Sequence, residues 1–361
     1  MTRTRHEQGL LADRIRLDEQ AVAEAAEILD LHLAGTEAVS LGRTGIYRTL
    51  VSTTQMPAPS PPIKALPDGA SVAAAHVTRD QDSLTPSAEM HTLVRRLWEL
   101  GAPVAAPLHD RIVSTRHGDV GFWAWMEHTP LTAAQWGALT GALHRAGRHL
   151  HHPRTYEPSR VFQSRLRRAR ELTSTPGHPL YGAGKLVRSF EAALDTAVDE
   201  ARRAATIGPF TLVHGDNQPA NIMRGHQGLA LIDFERTITA PPALDLAGLL
   251  LGIQHYAYPP HAAQEFLTGY GPDAPTLDQA RPYARIRELS GAVVAMIQSG
   301  DNPQMEQQMH IRAVAITNPG QGAPWTYLSP TPTSHLTSEP SRNTEDDCTH
   351  VRAAPAPSAP P

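Results

Sequence analysis

Lysine is almost missing from this chain: Lys64 and Lys185 are the two in 361 residues, against thirty arginines. A task that needs a compact ammonium group has two candidates, and otherwise falls to arginine or histidine. A single cysteine, Cys348, excludes an internal disulfide and a zinc site built on paired thiolates. The net charge of −4 comes with no long basic run, so nothing offers the electrostatic footprint of a nucleic-acid binder. No apolar stretch approaches the roughly 18 uninterrupted residues of a membrane span. Met1–Glu19 mixes charges without an apolar signal core, so a cytoplasmic protein with no membrane partner is expected, and no obligate protein partner is evident.

What is there reads as two unlike halves. Residues 7–34 carry Leu11, Ile15, Val22, Ala25 and Leu29 at helical spacing, with Gly35 as a stop. From Ala38 to about Trp125 the pattern is short and β-prone, at Gly45–Ser52, Ala70–Thr78 and Gly121–Met126. One helix interrupts it over Ser87–Gly101. The run Pro57–Pro62 is expected to be a loop, because proline cannot serve a central strand. After Thr129 helices are expected over 131–151, 157–175, 183–206, 243–256, 261–270 and 279–298, around a β patch at 210–233. Beyond Tyr327 the Pro/Ser/Thr-rich composition predicts disorder. The domain expectation is a helical extension at 1–36, a β-rich lobe at 37–126, a helical lobe at 127–328 and a disordered tail at 329–361.

The β patch carries the chemistry. Phe210–Val213 reads as a buried strand ending at His214-Gly215-Asp216. Ile222–Arg224 and Leu229–Ile232 flank four turn formers, Gly225-His226-Gln227-Gly228, and read as a hairpin. Residues equidistant from such a turn face each other, about 4.5–5.5 Å apart at Cα. Asn221 and Asp233 meet that condition to within one residue, an offset that needs a bulge or a shifted turn. Two oxygen-bearing side chains then converge at the hairpin's open end, the ligand type that Mg²⁺ prefers. Asp216, on the same loop, suits a carboxylate that accepts the proton of an attacking hydroxyl.

His214-Gly215-Asp216-x4-Asn221 followed by Ile232-Asp233-Phe234-Glu235 resembles the paired signature of the aminoglycoside phosphotransferase/choline kinase family, relatives of the protein kinases. The resemblance implies an α+β, two-lobe protein-kinase-like fold, with a small β-rich N-terminal lobe and a larger helical C-terminal lobe. It implies Asp216 as catalytic base, Asn221 and Asp233 as Mg²⁺ ligands, His214 as a structural support of the loop and Asp245 as its brace. In the first lobe it points to Gly42 and Gly45 as a nucleotide loop, though an ordinary hairpin turn reads equally well. It also points to Glu89 as the partner of a phosphate-binding cation, and to Trp125 and Met126 at the adenine hinge. The family's strand cation falls on His76; the open readings are a phosphate contact that works best protonated, or an inert residue.

A small-molecule kinase is therefore expected, taking Mg²⁺ with ATP or GTP and phosphorylating an acceptor hydroxyl. The alternatives are a nucleotide-binding module with little turnover, and a metal-dependent hydrolase or structural protein without nucleotide. Asp273, Asp278, Glu288, Asp301 and Glu306 are candidates for an acidic pocket that would take a cationic acceptor. His149, His151 and His152 suggest a solvated helix end more than a metal site.

Overall fold

A computed structural model describes residues 5–41, 44–52, 70–78, 87–150, 156–157, 160–206, 208–299, 303–317 and 323–326. The chain opens with helix α1 (Arg5–Ile28) and enters strand β1 (His32–Leu41). This corrects the sequence reading at its first boundary. The helix ends near Asp30, which takes a left-handed φ of 56°, and Gly35 is part of β1, where the pairing register shifts. A lone glycine marks a bulge in a strand as readily as a helix end.

Strands β2 (Thr44–Ser52), β3 (Ala70–Thr78), β4 (Val113–Thr115) and β5 (Gly118–Ala124) complete a five-stranded sheet in the order β1-β2-β3-β5-β4. All its pairings are antiparallel. The apolar stripe of α1 covers this sheet: Ala21, Val22, Ala25, Ala26 and Leu29 share one core with Tyr47, Ala75, Val77, Val120 and Phe122. Tyr47 donates its hydroxyl to the buried Asp18 at 2.7 Å. The first helix is thus a wall of the β-rich lobe rather than a separate extension.

Helix α2 (Ser87–Glu99) closes in a Schellman motif. Gly101 at φ 76° bonds Trp98, and Ala102 bonds Leu97. The following segment stitches the two lobes together. Leu231 donates to Pro103 at 2.8 Å and accepts from Ala105 at 3.1 Å, while Ala124 donates to Ala106 at 2.8 Å.

The helical lobe contains α3 (Ala133–Gly147), α4 (Arg160–Ser174), α5 (Gly184–Ala205), α6 (Ala247–His255), α7 (Ala262–Tyr270), α8 (Leu277–Ser299) and α9 (Pro303–Thr317). Each predicted helix is present within a few residues, and α9 is added. A capping box starts α3: Gln135 N–H donates to Thr132 Oγ1, and Gln135 Oε1 accepts from Thr132 N–H. Helix α8 carries Pro282 in its second turn, where the ring leaves the Asp278 carbonyl without its i→i−4 donor. One large core runs through this lobe and reaches Val94, Leu97 and Trp123 of the first. Past α9, Trp325 stacks on His255 at 4.0 Å with Arg312 over its ring at 4.5 Å. Among the described residues no helix is long and apolar enough to cross a membrane. The expected disordered tail and the Pro57–Pro62 loop lie outside the described residues.

Candidate active site

Strand β7 (Thr211–Val213) is fully buried and delivers His214, Gly215 and Asp216 to the face of the helical lobe. A short 3-10 turn, Pro219–Asn221, leads into strand β8 (Ile222–Gly225), which pairs with β9 (Gly228–Leu231) around the predicted turn. The register sets Ile222 opposite Leu231, and Ile232 donates to the carbonyl of Asn221 at 3.0 Å. Asn221 therefore faces Ile232, and Asp233 lies one residue further on. Asp233 absorbs the offset by adopting φ 64°, a left-handed conformation that Asp and Asn tolerate better than other side chains. A second 3-10 turn, Phe234–Arg236, then returns the chain through β10 (Ile238–Ala240), which pairs with β7.

Asp245 is buried at 0 % exposure and holds the loop from below. Its carboxylate accepts the backbone N–H of His214 at 2.7 Å and of Gly215 at 2.9 Å, and it meets His144 Nε2 at 2.9 Å. Burial alone would raise its pKa. The His144 hydrogen bond, with that of the His214 backbone N–H, outweighs that and holds it below the usual range. His144 in turn meets the Tyr270 hydroxyl at 2.7 Å. His214 donates from Nε2 to the Ile232 carbonyl at 2.8 Å and accepts at Nδ1 from the Asp216 N–H at 3.3 Å. Those two bonds specify one neutral tautomer and tie the Asp216 loop to the strand that carries Asp233. Gly215, at φ 77°, has no room for a side chain, because a Cβ would stand 2.1 Å from the Arg236 carbonyl.

Asn217 was not anticipated from the sequence. It is fully buried, accepts Trp136 Nε1–H at 2.8 Å, and donates to Thr140 Oγ1 at 2.9 Å and to the Asp245 carbonyl at 3.2 Å. Asn221 donates its amide to the Asp216 carbonyl at 2.8 Å. Asp216 is largely buried among cations. Arg287 donates to Oδ1, Arg236 stands 3.7 Å from Oδ2, and Arg165 adds to the same field. Burial would raise its pKa, but the Arg236 and Arg287 guanidiniums outweigh that and keep it depressed. The reverse holds for Asp233, which burial and the neighbouring Asp216 charge push up. Two carboxylates with opposed shifts therefore share one site. Asp233 and Asn221 are hard oxygen donors and fit Mg²⁺, which commonly takes one or two protein carboxylates and completes its shell with phosphates and water. Among the described residues no cluster of three or more His, Cys, Asp or Glu that could hold a metal is present.

The remaining sequence candidates are only partly brought to the site. Trp125 and Met126 follow β5 and precede β6 (Glu127–His128), which pairs with β8, so they form the link between the lobes. Arg48 lies over the Trp125 ring at 5.4 Å. Gly42 is outside the described residues, while Gly45 pairs with Leu41 and Val77 inside the sheet. Glu89 is half-buried on α2. His76 sits on β3 with its ring 6.0 Å from Trp123, and burial lowers its pKa to about 4. Without phosphates beside it, burial disfavours the charged form of His76. Among the described residues three of the candidate acids are engaged with cations. Asp273 pairs with Arg148 at 2.7 Å, Asp278 with Arg281 at 2.8 Å, and Glu288 with His255 at 2.9 Å and with Arg285. Glu306 is exposed, and Asp301 lies outside the described residues. His149 is exposed, and His151 and His152 lie outside the described residues.

A small antiparallel sheet, a helical lobe and a carboxylate-bearing loop braced between them define a protein-kinase-like α+β enzyme. The sequence model described as the phosphotransferase enzyme family matches residues 73–283, more than half of the chain, and the protein belongs to that family. No curated protein sequence matches it. Among solved structures, an amicoumacin kinase in complex with AMP-PNP, Ca²⁺ and Ami is 14% identical with a TM-score of 0.59, covering 87% of this chain and 98% of that one. A spectinomycin phosphotransferase in complex with ADP and spectinomycin is 16% identical at TM-score 0.55, over 83% and 94%. Choline kinase LicA from Streptococcus pneumoniae is 15% identical at TM-score 0.54, over 82% and 97%. At these identities the likeness concerns the fold.

Proposed function

We propose that the protein transfers the γ-phosphate of Mg-ATP or Mg-GTP to the hydroxyl of a small molecule. The observation that carries this reading is the approach of Asp233, on the turn after β9, to the Asp216–Asn221 loop whose start Asp245 braces from beneath. Asp216, held ionised by arginines, would accept the hydroxyl proton. Asn221 and Asp233 would hold Mg²⁺, which supplies charge stabilisation on the transferring phosphoryl group when bound. Solved relatives in fold contain ADP, or AMP-PNP with Ca²⁺, which supports a nucleotide and a divalent ion here. Turnover separates this reading from a module that only binds nucleotide. Mg-dependent ADP release that rises on adding a hydroxyl acceptor supports transfer; tight nucleotide binding with no ADP release from any acceptor pool supports the binding module.

Two outcomes follow. Asp233→Asn keeps the left-handed backbone and removes a buried like-charge pair, so the ligand-free protein should gain about 1 kcal/mol. The same variant should lose the Mg-dependent melting shift with ATP. Thermal melts with and without Mg-ATP check both, and an unchanged shift would remove Asp233 from the metal site. His76→Gln should keep the Michaelis constant for ATP within about twofold from pH 6.5 to 8, because the imidazole it replaces is neutral there. A loss confined to the lower end of that range would restore a protonated role.

A further inference from the structure

The sheet of the first lobe has two unlike faces. Tyr47, Ala75 and Phe122 lie under α1, while Ala74 and Trp123 belong to the core that runs into the helical lobe. Arg48 pairs with Ala74, and Ala74 with Trp123. Cross-strand partners share a face, so Arg48 projects from the side that looks toward the helical lobe. Trp125 comes two residues after Trp123 and continues that side. There Arg48 stands over the Trp125 ring at 5.4 Å, and Glu127 accepts the indole N–H at 3.3 Å. Both charged side chains are exposed and open to an incoming ligand. Among the described residues no ion pair engages Arg48, Glu37 opposite it on β1 included.

These two charges flank one indole at the far end of β8 from the metal site. Gly225 lies against the link between the lobes: a Cβ there would stand 3.4 Å from Met126 and 3.5 Å from the Trp125 carbonyl. Asn221 is four residues back along the chain, about 13 Å at the rise of a strand. An extended nucleotide spans about that length from its terminal phosphates to its base. A nucleotide whose phosphates meet a metal at Asn221 and Asp233 therefore brings its base to Trp125.

Stacking on an indole gives affinity without choice, because every base has a π-face. Choice falls to the edges of the base. A guanidinium is a rigid donor-only fork, and a carboxylate accepts only. Guanine answers each with an adjacent pair, the acceptors O6 and N7 and the donors N1–H and N2–H. Adenine sets its N6 donor between the acceptors N7 and N1, and gives neither fork a matching pair. Resting on the phosphotransferase reading above, we infer that the co-substrate is a guanine nucleotide and that Arg48 selects it. The base takes the face of Trp125 that Arg48 covers in the free protein. The long Arg48 side chain moves to the O6/N7 edge, and Glu127 meets N1–H and N2–H. Adenine nucleotides still bind through their phosphates and stacking, more weakly.

Titration calorimetry compares GDP, IDP and ADP, each with Mg²⁺, on wild type, Arg48→Ala, Arg48→Gln, Glu127→Gln and the surface control Arg148→Gln. Inosine keeps O6, N7 and N1–H and lacks the N2 amino group. Wild type should bind GDP about tenfold or more tighter than ADP, with IDP between them. Arg48→Ala should lose most of that preference. Arg48→Gln, whose amide matches the N6/N7 pair of adenine, should turn it toward ADP. Glu127→Gln should narrow the gap between GDP and IDP, and Arg148→Gln should keep the wild-type order; a melt of each variant reports folding. ADP binding as tightly as GDP, or a GDP preference unchanged in Arg48→Ala, would overturn the inference and leave the phosphotransferase reading in place. Mg-dependent binding of none of the three would overturn that reading and the inference with it.

Discussion

Asp216→Asn is expected to lower kcat by about a hundred- to ten-thousand-fold, the range that a positioned general base contributes. The amide keeps the side chain's shape and cannot take the hydroxyl proton. Its backbone would still be held, because the Asp216 N–H bonds His214 Nδ1 and its carbonyl accepts from Asn221. The Michaelis constant for the nucleotide should therefore change little, which marks a group that acts in the transition state rather than in binding. Single-turnover and steady-state assays over a range of ATP check this split. A rise in that constant with kcat preserved would assign Asp216 to binding and leave the base unidentified.

Asp245→Ala should cost about 3–5 kcal/mol of folding stability, the range for removing one partner of a buried pair. Four groups lose their acceptor or counter-charge at once: the N–H groups of His214 and Gly215, the His144 imidazole, and through it the Tyr270 hydroxyl. The pH window follows from the depressed pKa of Asp245. A carboxyl lowered in the folded state contributes its stability in full above its unfolded pKa near 3.9, and loses it as pH falls below that through the folded value. The difference between wild type and Asp245→Ala should therefore be flat from pH 5 to 8 and shrink only in strong acid. Urea denaturation at several pH values measures it. A penalty under about 1 kcal/mol at pH 7 would mean that the loop is held by other contacts.

The parts of the site that lie close in sequence could be read from it. His214, Gly215, Asp216, Asn221 and Asp233 span one strand, one turn and one hairpin, and local turn chemistry dictates their meeting. The register offset was visible as well, though not its resolution through the left-handed backbone of Asp233. What stayed hidden depends on tertiary approach. His144 reaches Asp245 across 101 positions and Arg287 reaches Asp216 across 71, and neither stands in a local pattern that differs from an ordinary helix face. The burial of His76 beside Trp123, which lowers its pKa, was hidden for the same reason. In the fold, the helices of the second lobe announced themselves by apolar period. Strand β1 did not, because His32-Leu33-Ala34-Gly35 carries a bulge where β-branched alternation would have marked a strand.

The central claim is that Asn221 and Asp233 hold a divalent ion that binds nucleotide phosphates in front of Asp216. Titration calorimetry of AMP-PNP tests it most directly, with Mg²⁺ and with chelator, on wild type, Asp233→Asn and Asp216→Asn. The account predicts one Mg-dependent site in wild type and in Asp216→Asn, and its loss in Asp233→Asn. Binding that is indifferent to Mg²⁺, or equal in Asp233→Asn and wild type, would contradict it.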